Sequence, residues 1–228
     1  MSICIIPARS GSKRIKNKNI KKINGIPILG IVIKKAIKSK LFKRVIVSTD
    51  SKKIAKIAIK FGAEVPFMRP KKLSSNKIGN REVIIDVIKN LNLKNLPTYI
   101  CQIFATAPFI SPKDIKKSFN KLKSSKAEFC FSVSKFSYPI QRALKITKLG
   151  RVKMFKPKYR KFHSQDLEKS FHDVGQFYWG RTKSILNNRI TFSEISIPYI
   201  IPSYRAIDID DKEDWKHALL MSSYIFKK

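Results

Sequence analysis

Hydrophobic and polar positions along this chain follow two periods. Short apolar runs at 3–6, 44–48, 99–104 and 129–133 predict strands buried in a sheet. Between them the apolar residues fall three and four apart, the spacing of a helix with one buried face. Over 27–38, Leu29, Val32, Ile33 and Ala36 mark that face, and Pro27 suits a first helical turn. Over 52–61, Ile54, Ile57 and Ala58 turn inward, with Asp50 or Ser51 as the cap and Gly62 as the stop. Further helices are predicted at 81–91 and 112–123, a short strand at 64–67, and a loop at 69–80. Strand and helix in alternation predict an α/β fold whose crossovers give parallel strands.

The rhythm changes after residue 135. Residues 136–165 carry Pro139, Gly150, Pro157 and many lysines, with strand-like stretches at 142–146 and 152–155. They read as an extended hairpin, an excursion that serves a partner subunit or a substrate. A strand at 177–179, a last strand at 203–207 and a terminal helix at 211–226, capped by Asp210 or Asp211, complete the pattern. With no repeat, linker or low-complexity tail, residues 1–228 read as one domain, long enough for a substantial core.

Composition adds three constraints. No apolar run approaches the roughly 20 residues of a membrane span, and the first residues lack the layout of a signal peptide. A cytoplasmic protein is expected. Cys4, Cys101 and Cys130 sit in apolar runs without a CxxC spacing, so buried thiols are expected rather than a disulfide frame or a zinc site. The net charge of +34 invites a nucleic-acid reading. Yet 38 of the 49 basic residues are lysine, spread from one end of the chain to the other. Lys, Ile and Asn all have A/T-rich codons, and a compositional bias on a solvated surface accounts for the excess. Polyanions are then attracted non-specifically at low salt.

The segment of densest chemistry is 5–19, where an apolar run opens into Pro7-Ala8-Arg9-Ser10-Gly11-Ser12 and a basic stretch. A strand that ends in a Gly/Ser loop presents backbone N–H groups to phosphate oxygens, at the sheet edge where open α/β folds bind ligands. The loop is neither a Walker A sequence nor GxGxxG. Arg9, Ser12 and Lys18 are the candidate triphosphate contacts, since arginine grips phosphate in bidentate fashion and lysine supplies a compact charge. Lys13, Arg14 and Lys16 fit a solvated surface equally well. Asp208 and Asp210 alternate along a predicted strand end, so both face one side. They are candidate ligands for Mg²⁺, which takes one or two carboxylates and completes its shell with phosphate and water. The competing role is capping of the helix that follows.

These segments recur together in a known pattern. Pro7 to Asn19, Val47-Ser48-Thr49-Asp50, Val65 to Pro70, Ala105-Thr106-Ala107-Pro108-Phe109 and Ala206-Ile207-Asp208-Ile209-Asp210 resemble the CMP-sialic acid synthetase family, cytidylyltransferases that activate nine-carbon acidic sugars. Ser137 to Leu144 and Phe171 to Gly180 resemble its pseudaminic acid branch. The resemblance implies a Rossmann-like three-layer α/β/α sandwich of the nucleotide-diphospho-sugar transferase type, with a mostly parallel sheet. It implies a homodimer, with 136–165 projecting towards the second subunit and helping to close the sugar site. CTP and an acidic sugar would be the substrates, Mg²⁺ the cofactor. By resemblance Arg9 and Lys18 are catalytic, and Ala8, Arg9, Ser12, Lys18, Asn19, Arg69 and Asn80 surround the nucleotide. Asn80 departs from the usual pattern, in which Thr or Ser follows the glycine at 79. Gln141, Arg142, Gln165, Asp173, Gln176 and Tyr178 are the implied sugar contacts. N-acetylneuraminate or legionaminate in place of pseudaminate remains open, as does a nucleic-acid-binding protein.

Overall fold

The structure is a computed structural model and describes residues 1–12, 14–75 and 77–226. The chain opens with β1 (Ser2–Pro7), the short pair β2 (Lys22–Ile23) and β3 (Ile26–Pro27), α1 (Ile28–Lys38), β4 (Arg44–Ser48) and α2 (Lys52–Lys60). It continues through α3 (Asn80–Asn90), β5 (Tyr99–Ile103), α4 (Pro112–Lys123) and β6 (Phe129–Lys135). The excursion carries β7 (Leu144–Ile146) and β8 (Val152–Met154). Then come β9 (Phe171–Arg181), α5 (Thr182–Leu186), β10 (Ser196–Ile200) and α6 (Lys212–Ile225).

The main sheet runs in the order β10-β6-β9-β5-β1-β4. β1 pairs in parallel with both β4 and β5, and β10 pairs in parallel with β6. β9 lies antiparallel between β5 and β6. Side chains alternate across each strand. Cys4 and Ile6 therefore join one core with Leu29, Val32 and Ile33 of α1, Ile54 and Ala58 of α2, and Ile115 and Leu122 of α4. Ile3 and Ile5 enter the opposite core with Ile84, Val87 and Ile88 of α3 and Ile185 of α5. Helices on both faces of a mostly parallel sheet make the expected three layers. Cys4, Cys101 and Cys130 are all buried free thiols, and burial raises the pKa of each.

Three expectations need correction. The stretch at 64–67 contributes one bridge, Glu64 to Ile46, and no strand. Residues 203–207 are not the last strand: Ser203–Arg205 is a 3-10 turn, and Ser196–Ile200 holds the edge position beside β6. The strand expected at 177–179 is 11 residues long, because it spans both halves of the sheet. Its polar first half hid it, and its pairing with β6 shifts register between Phe131 and Val133. Gly175, at φ 61°, supplies the left-handed conformation there.

The segment after 207 is built differently. Ile207 and Ile209 are buried with Trp215 and Ala218 of α6, Ile15, Ile23 and Phe109. The two aspartates between and after these isoleucines are thereby turned the other way. Asp211 caps α6 by accepting from Glu213 N (2.8 Å) and Asp214 N (3.0 Å), and Asp214 closes a reciprocal capping box. Among the described residues no helix is long and apolar enough to cross a membrane.

Candidate nucleotide-binding site

A cavity of about 690 Å³ opens at the C-terminal ends of β1 and β5. Its walls include Arg9, Ser12, Arg14, Lys18 and Asn19 from the first loop, Arg69, Gly79 and Asn80 from the 69–80 segment, and Asp208 and Asp210. Residues as far apart in sequence as Arg9 and Asp210 meet there, at the sheet edge where the strands end.

The loop is held from outside. Asp50 accepts from Ser10 N (2.8 Å) and Ser10 Oγ (2.9 Å), so the acidic end of Val47-Ser48-Thr49-Asp50 tethers the Gly/Ser turn. It does not cap α2, which is the work of Ser51. Asn19 is buried and donates to Arg9 O (2.8 Å). Arg9 reaches across the cavity to Ser75 O (2.8 Å). Ser12 lines the cavity, although its own N–H is taken by Ser10 O (2.9 Å). Ala8 does not line it: its side chain is in the core and its N–H donates to Ser48 O (2.9 Å). Ala8 thus completes the β1–β4 ladder and turns its side chain away from the cavity. Lys13 lies outside the described residues.

Arg69 was open to a surface role, but it is only 5% exposed. Its Nε donates to Ser48 Oγ (3.0 Å), its Nη2 to Ser48 O, and its N to Thr49 O (2.7 Å). Burial lowers its pKa to about 10, partly offset by the Asp50 carboxylate. It therefore stays charged at neutral pH and stands as a fixed cation in the cavity wall. Asn80, the first residue of α3, also lines the cavity.

Opposite stand the two carboxylates. Lys18 Nζ donates to Ile209 O (2.5 Å) and Asp210 Oδ1 (3.1 Å), and Arg14 Nη2 lies 2.9 Å from the same Oδ1. Burial opposes the charge on Asp210, but these two cations hold its pKa below the ordinary value. Arg14 is thus a wall residue. Asp208 shows the reverse: partial burial first, then the Asp210 carboxylate, raise its pKa, with Lys18 opposing. Two acids on one wall, one neutralised and one not, form an oxygen-donor pair suited to a divalent cation. Among the described residues no cluster of three acidic, His or Cys side chains offers a fuller cage, so phosphate and water would supply the rest of the shell. Capping accounts for Asp211 and Asp214, and leaves Asp208 and Asp210 to the cavity.

A second, smaller cavity of about 240 Å³ shares Asn80 and Phe104 with the first. Gln102, Phe129, Tyr178 and Phe192 line it. Tyr178 donates to Asp173 and lies against Phe131 (5.4 Å between ring centres) and Phe104 (5.7 Å). Burial, then that hydrogen bond, raise its pKa, so it acts as a donor and not as a base. Asp173 also accepts from Gly175 N (3.1 Å). Arg81 donates to Arg189 O (2.7 Å) and Thr191 Oγ1 (2.9 Å), which holds the loop bearing Phe192 above the cavity.

The remaining sugar expectations separate. Gln176 is 1% exposed and lines neither cavity; its Nε2 donates to Arg205 O. Gln141 is buried and donates to Glu168 O (3.0 Å), and Arg142 donates to Ser164 Oγ (3.2 Å). Gln165 is exposed in the turn Ser164–Asp166. These three belong to the excursion and line neither cavity of their own chain. Asp50, Arg81, Gln102, Phe104 and Phe192 were missed. Two signals among them were readable: Asp50 at the end of Val47-Ser48-Thr49-Asp50, and a glutamine inside the apolar run 99–104.

Comparison with known proteins agrees with this geometry. Residues 3–200 match the family model described as "Cytidylyltransferase". A pseudaminic acid cytidylyltransferase of Campylobacter jejuni subsp. jejuni serotype O:2 is 36% identical, the match covering 96% of this chain and 95% of that one. A CMP-N,N'-diacetyllegionaminic acid synthase of Legionella pneumophila is 29% identical over 93% of this chain and 92% of its own. Among solved structures, a CMP:2-keto-3-deoxy-manno-octonic acid synthetase complexed with CTP superposes with a TM-score of 0.71 at 14% identity, covering 98% of both chains. At that identity the likeness speaks for the fold. From a strand-end cavity of cations facing two carboxylates, and a family model matched along most of its length, the chain belongs to the cytidylyltransferase family.

Proposed function

We propose that this enzyme transfers CMP from CTP to the C2 hydroxyl of pseudaminic acid and releases pyrophosphate. The observation that carries the reading is the single cavity in which Arg9, Ser12, Lys18 and Arg69 face Asp208 and Asp210. The hydroxyl oxygen forms a bond to the α-phosphorus while the bond from that phosphorus to the bridging oxygen breaks. Pyrophosphate leaves with the electron pair, and the hydroxyl proton is released. Arg9, Lys18 and Arg69 supply fixed positive charge to the phosphates and to the leaving group. Asn80 can both donate to and accept from the cytosine.

Asp208 and Asp210 would hold Mg²⁺, which neutralises charge on phosphate oxygens when bound. Lys18 and Arg14, which lie on Asp210, line the same cavity and would offer their charge to the triphosphate. The second cavity suits the sugar, since an N-acylated deoxysugar carries methyl groups as well as hydroxyls and matches aromatic walls with a few polar groups. Pseudaminate is favoured over other nine-carbon acids by the 36% identical relative and by the Phe171 to Gly180 segment, which forms β9. The legionaminic acid synthase at 29% identity supports the second reading, the same chemistry on a different sugar.

We further read the protein as a homodimer of the cytoplasm, where nucleoside triphosphates are held. The excursion leaves Tyr138, Ile146, Leu149 and Phe155 largely exposed, an apolar surface for a second copy. The surplus positive charge acts on nucleic acid only as non-specific attraction.

The deciding experiment follows pyrophosphate release with CTP and Mg²⁺ on pseudaminic, legionaminic and N-acetylneuraminic acids in parallel. Turnover confined to pseudaminic acid is expected. Turnover only with another acid replaces the sugar, and silence on all three with folded protein removes the function.

A further inference from the structure

We propose that Gln176 is a positioning residue: with Arg205 and Asp114 it sets where Asp208 and Asp210 stand in the cavity wall. The proposal rests on the metal reading above.

Residues 206–210 belong to no strand, so no ladder of backbone bonds fixes them. Ile207 and Ile209, 5% and 0% exposed, decide which way the aspartates face. They do not fix the strap along its length. Lys18 Nζ ties it at Ile209 O (2.5 Å), and the rest depends on its two ends. The far end is the Asp211 cap of α6. The near end is Arg205, and three elements hold it. Its carbonyl accepts from Gln176 Nε2 in the middle of β9. Its guanidinium forms a part-buried ion pair with Asp114 of α4. The other oxygen of Asp114 accepts from Tyr199 Oη of β10 (3.0 Å).

Gln176 is an unusual residue for its place. Its Oε1 is buried and, among the described residues, has no hydrogen-bond partner. A methionine of similar size would fill the space without that penalty. The bond from Nε2 to Arg205 is what the amide adds. The same strand carries Asp173 and Tyr178, so this bond also locks the acid strap to the strand beside the second cavity. Gln176 acts on the cavity without lining it.

The test compares wild type with Gln176→Met. Mn²⁺ binding is read by the electron paramagnetic resonance of free Mn²⁺, with a non-reactive CTP analogue present. Turnover is followed against Mg²⁺ and against sugar, and thermal unfolding reports the fold. Gln176→Met should weaken Mn²⁺ about tenfold, the range found for residues that orient metal ligands, and raise the Mg²⁺ requirement to match. The KM for sugar at saturating Mg²⁺ should stay within about twofold. Unchanged Mn²⁺ affinity overturns the proposal. A raised sugar KM with unchanged Mn²⁺ affinity also overturns it and returns Gln176 to the sugar site. If Gln176→Met does not fold, Arg205→Lys, which keeps the charge and the carbonyl, must show the same split in smaller measure or the proposal falls. Wild type that adds nothing to the Mn²⁺ affinity of the free analogue overturns the metal reading and the inference with it.

Discussion

Arg9 and Arg69 face the same cavity but are held in different ways. Arg9 spends one hydrogen bond on Ser75 O across open space, and its side chain is free to exchange that partner for phosphate. Arg69 is locked to Ser48 and Thr49 and cannot move far. Arg9→Ala should therefore lower kcat/KM for CTP at least about tenfold, a loss of about 1.4 kcal/mol, with thermal stability unchanged. Arg69→Ala should lower it as much and also destabilise the fold by about 1–3 kcal/mol, because the buried Ser48 Oγ loses its Arg69 donor and Ser48 O keeps only the Ala8 N–H. Steady-state kinetics beside denaturant unfolding separates the two. Equal stability of the two variants would show that Arg69 is no part of the scaffold. The sequence marked both arginines as candidates, but it could not tell a mobile contact from a fixed one. That difference comes from Ser48, 21 positions before Arg69 and brought beside it by β4.

The junction of α1 with α6 carries a charge of unusual kind. Lys35 Nζ donates to Pro108 O (2.6 Å) and lies 4.8 Å from the centre of the Phe226 ring. Burial, then the nearby Arg205 charge, lower its pKa to about 8 from an ordinary 10.5. Between those values the unfolded chain holds a proton that the folded chain has lost. Raising the pH through that window therefore favours the folded state; below about 8 both states are protonated and the penalty is constant. Denaturant midpoints of wild type should thus rise relative to those of Lys35→Met across the window, and parallel curves would sink the assignment. Elements differed in how legible they were. α1 and α2 followed from apolar spacing together with their start, cap and stop residues, since each packs one face on the sheet. β9 and β10 did not. β10 alternates Ile197 and Tyr199 with residues that face solvent, and it is an edge strand by virtue of β6, 67 residues earlier in the register from Ser196 to Phe129. The strand expected at 203–207 is a strap because β6 already has its two neighbours, β9 and β10.

At the level of the molecule two features pull against each other. Between Arg142 and His163 lie eight basic residues and no acidic one, yet the same hairpin exposes Leu144, Ile146, Leu149 and Val152. In the β7–β8 register Lys145 stands opposite Lys153, and Ile146 opposite Val152, which gives one charged and one apolar face. Each such apolar side chain contributes about 1.5–3 kcal/mol when fully buried, enough in sum to oppose screened repulsion at physiological salt. We expect a dimer by sedimentation that loosens as salt is lowered. Ile146→Asp with Leu149→Asp should give a folded monomer with at least about tenfold lower kcat/KM for the sugar, since the excursion is the proposed closure of the sugar site. A monomer of unchanged activity would separate the excursion from catalysis. Apolar periodicity specified the layers, because burial of one face per element is dictated by composition at fixed spacing. The loop after β1 and the pair Asp208 and Asp210 were legible for a similar reason: their chemistry is local and compact. The partners of those residues were not. Asp50 behind Ser10, Lys18 and Arg14 on Asp210, and Gln176 beneath Arg205 are contacts between distant strand ends and loops. Only the order of strands in the sheet brings them within reach, and no spacing along the chain encodes that order.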